Sequence, residues 1–385
     1  MNNHFVIIFV EKRMFMKSCY IHIPFCKTIC SYCDFCKFYY QKKWILKYLE
    51  QLRKEINLNY KGEKLNTIYI GGGTPTSLDY DELKILLNII KELRLNDNYE
   101  YTIEANVETL DLDKIKLLKE YGINRVSIGV ESIVEKNIKF LDRHHSKDDV
   151  ARVINLLKQE GISNINIDLI YALPHQSIDD LKLDLEFFLS LNIPHISTYS
   201  LIIEPHTKLY INNEKNIDEK LDLDMYKYIC RVLKDNGYDH YEISNFAKPN
   251  FESKHNLTYW NNEKYYGFGV GASGYIDNIR YDNTRSINKY FDGNYRFSEE
   301  EVDFNTKVEN EFILGFRKLK GINKKDFYNK YKIDIDSLDV INRLKLEEKL
   351  FEDKDNIFIN SKYIYTSNQI LVEFLGGNYE QRRNI

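Results

Sequence analysis

No stretch of the chain approaches the ~20 consecutive apolar residues that a bilayer-crossing helix needs, although apolar types make up 43% of its 385 residues, ample for a large core. Charge of one sign is also missing. The chain has 54 basic and 58 acidic side chains, a formal net charge of −4, with both signs interspersed. Such a surface carries no electrostatic footprint for nucleic acid or anionic lipid. The apolar run "FVIIFV" at 5–10 is too short for a secretory h-region and has no basic segment ahead of it. Without an export signal, a cytoplasmic and reducing setting is expected. Clustered cysteines there serve metal or redox chemistry rather than disulfides. Internal repeats and low-complexity linkers are absent. Residues 1–16, up to Met14 or Met16, read as an N-terminal extension that need not be structured, with an extra strand at 5–10 as the alternative.

The length exceeds one compact domain of ordinary size and suggests a barrel plus an appended unit. From Cys19 to about Glu204, short runs rich in β-branched and aromatic residues alternate with amphipathic stretches. Strands are predicted at 19–25, 67–73, 99–106, 125–132, 164–173 and 195–204, with helices at 42–59, 80–95, 111–121, 146–160 and 177–191. Six β/α units in a row imply an α/β fold with a parallel sheet, either a complete or partial barrel or a doubly wound sheet. Polar residues favour the barrel, whose chemistry gathers at the carboxyl ends of its strands. Cysteines follow the first strand, "GGGTPT" ends the second, Glu104 and Asn106 the third, Glu131 the fourth and Glu204 the sixth, while Asp168 lies within the fifth. Residues 239–290 are expected to extend or cap the barrel, giving a first domain over 17–298. A charged stretch at 298–306 precedes a winged-helix-like domain over 299–385, with helices at 305–320, 324–331 and 336–349, then strands "NIFIN" and "YIYTS".

The segment 23–40, "IPFCKTICSYCDFCKFYY", holds four of the six cysteines. Cys26, Cys30 and Cys33 form C-x3-C-x2-C on a loop after a strand, a spacing at which soft thiolates hold several irons of one cluster. Zinc usually takes two separated ligand pairs, and no second pair exists here. Cys36 leaves two readings open: a closed four-thiolate centre, or three thiolates and an open iron. Cys19 and Cys230 stand alone and read as small buried hydrophobes.

"YIHIPFCKTICSYCDF" at 20–35 resembles the signature of the radical S-adenosylmethionine (SAM) superfamily, and within it the HemN/HemW group of oxygen-independent coproporphyrinogen III oxidases and related heme chaperones. "GGGTPT" (71–76), "IEAN" (103–106), "NRVSIGVES" (124–132), "LDRHHS" (141–146), "NIDLIYALPHQS" (166–177), "HYEISNFA" (240–247) and "GFGVGASGY" (267–275) fall in the same order as in that group. The resemblance implies a [4Fe–4S] cluster on Cys26, Cys30 and Cys33. It further implies SAM held by Tyr20, Tyr32, Gly72, Gly73, Thr74, Glu104, Glu131, Arg143 and Asp168. A carboxylate there accepts from ribose hydroxyls, and a guanidinium pairs with a carboxylate.

Two departures stand out. Glu131 replaces the usual Gln, and "YALPHQS" replaces "YGLPGQT", with Ala172 and His175 at the glycine positions. "HNLTYW" (255–260) reads by itself as a turn with a satisfied histidine and packed aromatics. It resembles a heme-binding motif of the chaperones, which implies His255 as a heme ligand. The oxidases carry a fourth cysteine two places after the third, where this chain has Phe35, and a longer N-terminal segment. The expected function is therefore a heme chaperone; the alternative is an oxidase that decarboxylates coproporphyrinogen III. Expected partners are heme and acceptor hemoproteins, respiratory ones placing it near a membrane, and a homodimer is compatible with these.

Overall fold

The computed structural model describes residues 18–380; the "FVIIFV" run and the expected extension over 1–16 lie outside the described residues. Six parallel strands run in chain order across one sheet: β1 Ser18–Ile23, β2 Leu65–Gly72, β3 Leu95–Asn106, β4 Arg125–Glu131, β5 Asn164–Tyr171 and β6 His195–Ser200. Tyr265–Phe268 adds parallel to the far side of β1, and Ser273–Ile276, Ile279–Asn283 and Arg296–Glu301 continue the sheet antiparallel. Asn245–Ala247 and Asp239–Glu242 extend the β6 edge, giving twelve strands in all. Five successive strands, β2 to β6, send side chains into one cavity. The sheet therefore curls into a partial barrel, the architecture that the polar strand ends favoured over a doubly wound sheet.

The crossover helices are α1 Lys42–Asn59, α2 Tyr80–Ile90, α3 Leu112–Glu120, α4 Glu135–Phe140, α5 Lys147–Gln159 and α6 Ile178–Ser190. Their starts are written locally: Asp79 with Glu82, Ser146 with Asp149 and Ser177 with Asp180 each form a capping box at α2, α5 and α6. The predicted helix over 80–95 stops at Ile90, because Leu95 already pairs with Leu65 in the sheet. Tertiary pairing wins over helical period there. "HNLTYW" is likewise no turn but most of a short helix, Lys254–Trp260, started by the Ser253 side chain.

A second core, around Phe312, Phe316, Phe327 and Phe374, lies within 308–379. Helices Phe304–Gly315, Lys324–Tyr331 and Asp339–Leu346 surround it, with a small sheet ordered Ile322–Asn323, Asn356–Ile359, Leu350–Glu352. "YIYTS" is not the hairpin's second strand. Asp353 accepts from the backbone N–H of Asp355 and Asn356, closing a turn that pairs "NIFI" with the preceding Leu350–Glu352. The strand Arg296–Glu301 also crosses the expected 298/299 division, so the sheet ends at Glu301 and the next helix starts at Phe304.

Candidate functional site

The cysteine loop leaves β1 at the carboxyl end of the barrel and is pinched at its base, where Phe25–Cys26 pairs parallel with Phe38–Tyr39. Buried Ser31 fixes its middle, donating its hydroxyl to the Phe140 carbonyl (2.8 Å) and its N–H to that of Leu141 (3.3 Å). Cys26, Cys30 and Cys33 line one wall of a cavity of about 320 Å3. The opposite side of the loop rests on the glycine run. A Cβ on Gly73 would stand 2.9 Å from the Cys26 sulfur, and one on Gly72 (φ +119°) would meet the His22 ring at 2.6 Å. The N–H groups of Gly72, Gly73 and Thr74 are taken by Glu104 and by the Ile23 and Phe25 carbonyls. What this run can still offer an occupant is carbonyl oxygen, which suits an ammonium group.

Carboxylates and the Arg143 guanidinium supply the walls beside the cysteines. Glu104 accepts from the Tyr69 hydroxyl (2.8 Å) and Gly72 N–H (2.9 Å), and burial pushes its pKa up to about 7. Glu131 accepts from the Tyr32 hydroxyl (2.7 Å), lies 4.0 Å from Arg143, and is likewise raised by burial to about 7. Arg143 donates to the Gly129 carbonyl and lies 3.5 Å from the Cys30 sulfur. Asp168 accepts from Asn166 (2.8 Å). One Glu131 oxygen and the Arg143 Nε are buried without a partner, so this corner has hydrogen-bonding capacity left for a polar occupant.

The structure thus brings to one cavity Cys26, Cys30, Tyr32, Cys33, Gly72, Gly73, Thr74, Glu104, Glu131, Arg143 and Asp168. Tyr20 is not among the lining; its hydroxyl bonds His22 (2.9 Å) and its ring stacks behind Tyr69. His255 is not there either. It is 1% exposed and its two ring nitrogens face Thr67 Oγ1 (2.7 Å) and the Tyr259 hydroxyl (2.8 Å). Burial holds it neutral, with its pKa near 3, and no nitrogen is free for iron in this arrangement. Glu204 lies four residues past the end of β6 and outside the lining. The Cys36 thiol points instead toward the Arg285 carbonyl (3.9 Å), against Gly271. Residues missed by the sequence reading are Arg125, Ser127, Asn166, Ser197, Tyr199 and Asn256, which complete the walls and floor. Apart from Asn256, which sits on the short helix Lys254–Trp260, their signal was the alternation inside supposedly apolar strands: in "RVSIGVE" every second residue is polar or Gly.

The radical SAM superfamily pattern matches residues 20–188. The heme chaperone HemW of Lactococcus lactis is 42% identical over 369 residues, covering 93% of this chain and 97% of that protein. The chain belongs to the HemW family. HemW of Bacillus subtilis is 38% identical, covering 94% of this chain and all of that protein. In fold, the chain resembles the coproporphyrinogen III oxidase HemN of Escherichia coli, with a TM-score of 0.82 at 20% identity over 93% of this chain and 90% of that one.

The superfamily implies a [4Fe–4S] cluster and SAM, and the residues present fit both. Among the described residues no three potential ligands converge as a single metal ion requires. A multi-iron cluster instead spreads its thiolates over separate irons. Burial pushes the Cys26 thiol up to about 12, so a cation must replace its proton for it to ligate. The two sequence departures share a backbone feature: Glu131, Ala172 and His175 all have left-handed φ, of 65°, 60° and 65°. Such a conformation costs a non-glycine residue ~1–2 kcal/mol, and glycine in the unfolded chain gives back ~0.5–1 of that. His175 is exposed, so His175→Gly is expected to raise stability by ~0.5–1 kcal/mol, read as a higher urea midpoint. A lower midpoint would show that the turn carries no strain. Ala172→Gly gains nothing comparable, since its buried methyl is worth ~0.8 kcal/mol.

Proposed function

We propose that this protein is a heme chaperone, holding a [4Fe–4S] cluster through Cys26, Cys30 and Cys33 and passing heme to acceptor hemoproteins. The observation that carries the reading is Phe35. It stands two places after Cys33, where the oxidase pattern puts a fourth cysteine, and is 68% exposed at the cavity mouth. Ile202, 65% exposed, and Tyr199 share that mouth. A flat apolar macrocycle finds there an aromatic and aliphatic rim over a polar, thiol-lined interior. A cluster with one iron free of thiolate supplies a place for SAM to bind through its amine and carboxylate, and a one-electron donor when reduced. Around it, Arg143 would meet the carboxylate of SAM, Glu104 and Asp168 would accept from its hydroxyls, and the carbonyls of the glycine run would accept from its amine.

Under argon, the reconstituted full chain should bind hemin and transfer it to an apo-hemoprotein without converting coproporphyrinogen III to protoporphyrinogen IX. Conversion, or failure to bind hemin, would overturn the proposal. The resemblance of "HNLTYW" keeps a second reading in view, in which helix Lys254–Trp260 shifts and His255 ligates the iron. With heme on the rim, Phe35→Ala/Ile202→Ala weakens hemin binding and His255→Ala leaves the Soret band in place. A Soret shift in His255→Ala alone would assign the iron to that residue. No helix of the described residues is long and apolar enough to cross a membrane, and residence in the cytoplasm forms part of this proposal.

A further inference from the structure

The floor of the cavity holds a feature that the cluster and SAM contacts leave unused. Arg125, on β4, lines the cavity and is 2% exposed. Its Nε is buried without a partner, and among the described residues no hydrogen bond or ion pair satisfies its guanidinium. Glu104 and Asp168 feel its field, yet neither reaches ion-pair distance, and both are tied to other donors. Beside it in register stand Thr102 on β3 and Asn164 on β5, and the Thr102 hydroxyl and Asn164 carbonyl oxygen are also buried without partners. Three unmet polar groups therefore form a row across adjacent strands. Buried polar groups are seldom left so, and a buried charge is rarely left without a counter-charge.

Arg143, the other cavity guanidinium, is bound to the carbonyl of Gly129, four residues further along β4. At ~3.3 Å per residue the backbone positions of Arg125 and Gly129 stand about 13 Å apart along the strand.

We propose that Arg125 forms a carboxylate-binding subsite on the barrel floor, separate from the Arg143 corner. The guanidinium offers a fork of N–H donors that matches a carboxylate, and water excluded by the barrel walls strengthens the pair. The subsite rests on the cavity alone and stands whether or not heme is the cargo. The carboxylate has two sources: a small free acid, or the acid arm of a larger ligand such as SAM reaching down from the mouth.

Propionate, SAM and carboxylate-free 5′-methylthioadenosine serve as probes, titrated calorimetrically into the reconstituted full chain and its Arg125→Gln and Arg125→Lys variants. With SAM saturating, Arg125→Gln should weaken propionate binding on the order of 10- to 100-fold, the range for losing hydrogen bonds to a charged group. Arg125→Lys should retain part of it, and SAM affinity should hold within about twofold. If SAM weakens by that factor in Arg125→Gln while methylthioadenosine does not, the subsite is occupied by SAM's own carboxylate. If neither propionate nor SAM changes in a folded Arg125→Gln protein, the proposal is wrong. A bromide soak of crystals of the unmodified protein gives a reading that no variant's folding can disturb. An anomalous peak beside Arg125 supports the subsite; peaks confined to the outer surface overturn it.

Discussion

Cys30→Ser should abolish iron binding in the reconstituted protein, whereas Cys36→Ser should leave iron and sulfide content unchanged. The two residues are six apart on one loop, yet the fold treats them oppositely. Cys30 lines the cavity with Arg143 3.5 Å from its sulfur. Cys36 is turned away from the cavity into the core: a Cβ on Gly271 would lie 2.9 Å from its sulfur, and its own carbonyl accepts from His22 (2.7 Å). For its thiol to reach the other three, the base of the loop would have to unwind, breaking the Phe25–Cys26 and Phe38–Tyr39 pairing and the His22 bond. Cys26→Ser and Cys33→Ser should behave like Cys30→Ser, since a cluster left with two thiolates does not persist through anaerobic desalting. Iron and acid-labile sulfide assays decide the matter. Loss of the cluster in Cys36→Ser would establish a four-thiolate centre and close the iron proposed for SAM.

Much of this site is legible in the amino-acid sequence. The cysteine spacing, the glycine run and the acidic strand ends are local signals, and each is set by a few adjacent residues. The strands are readable for the same reason: their β-branched runs are bounded by capping residues such as Ser146 and Ser177. What escapes is whatever depends on distant pairing. "YIYTS" has strand composition, but the turn at Asp353 gives its place to Leu350–Glu352. His255 reads by itself as a satisfied histidine and only by resemblance as a heme ligand, and it is Thr67, 188 residues away, that shows what takes its Nδ1. Arg125 is hidden in a strand that reads as apolar, although the strand's period-two polar face is written in its residues.

Glu55 carries the second large prediction, and it too is invisible in the helical pattern, sitting on the buried face of α1 with Leu52 and Ile56. Its carboxylate is 0% exposed and gathers three donors: Gly269 N–H (2.8 Å), the Tyr290 hydroxyl (2.6 Å) and Asn283 Nδ2 (2.6 Å). Arg296 stands 3.9 Å away as its counter-charge. Burial pushes the Glu55 pKa up, and the three donors and Arg296 offset only part of that rise. These contacts bind α1 to the "GFGVG" segment and, through Gly271, to the back of the cysteine loop at Cys36. Glu55→Ala leaves the donors buried and unmet, which should cost ~3–5 kcal/mol of stability by urea denaturation. Glu55→Gln keeps the volume but turns an amide N–H2 toward groups that themselves donate, so it should fall between the two. A Glu55→Ala protein within ~1 kcal/mol of the parent, about one ordinary hydrogen bond, would mean that water or repacking satisfies these donors. In that case Glu55 would not be what ties the closing strands to the cysteine loop.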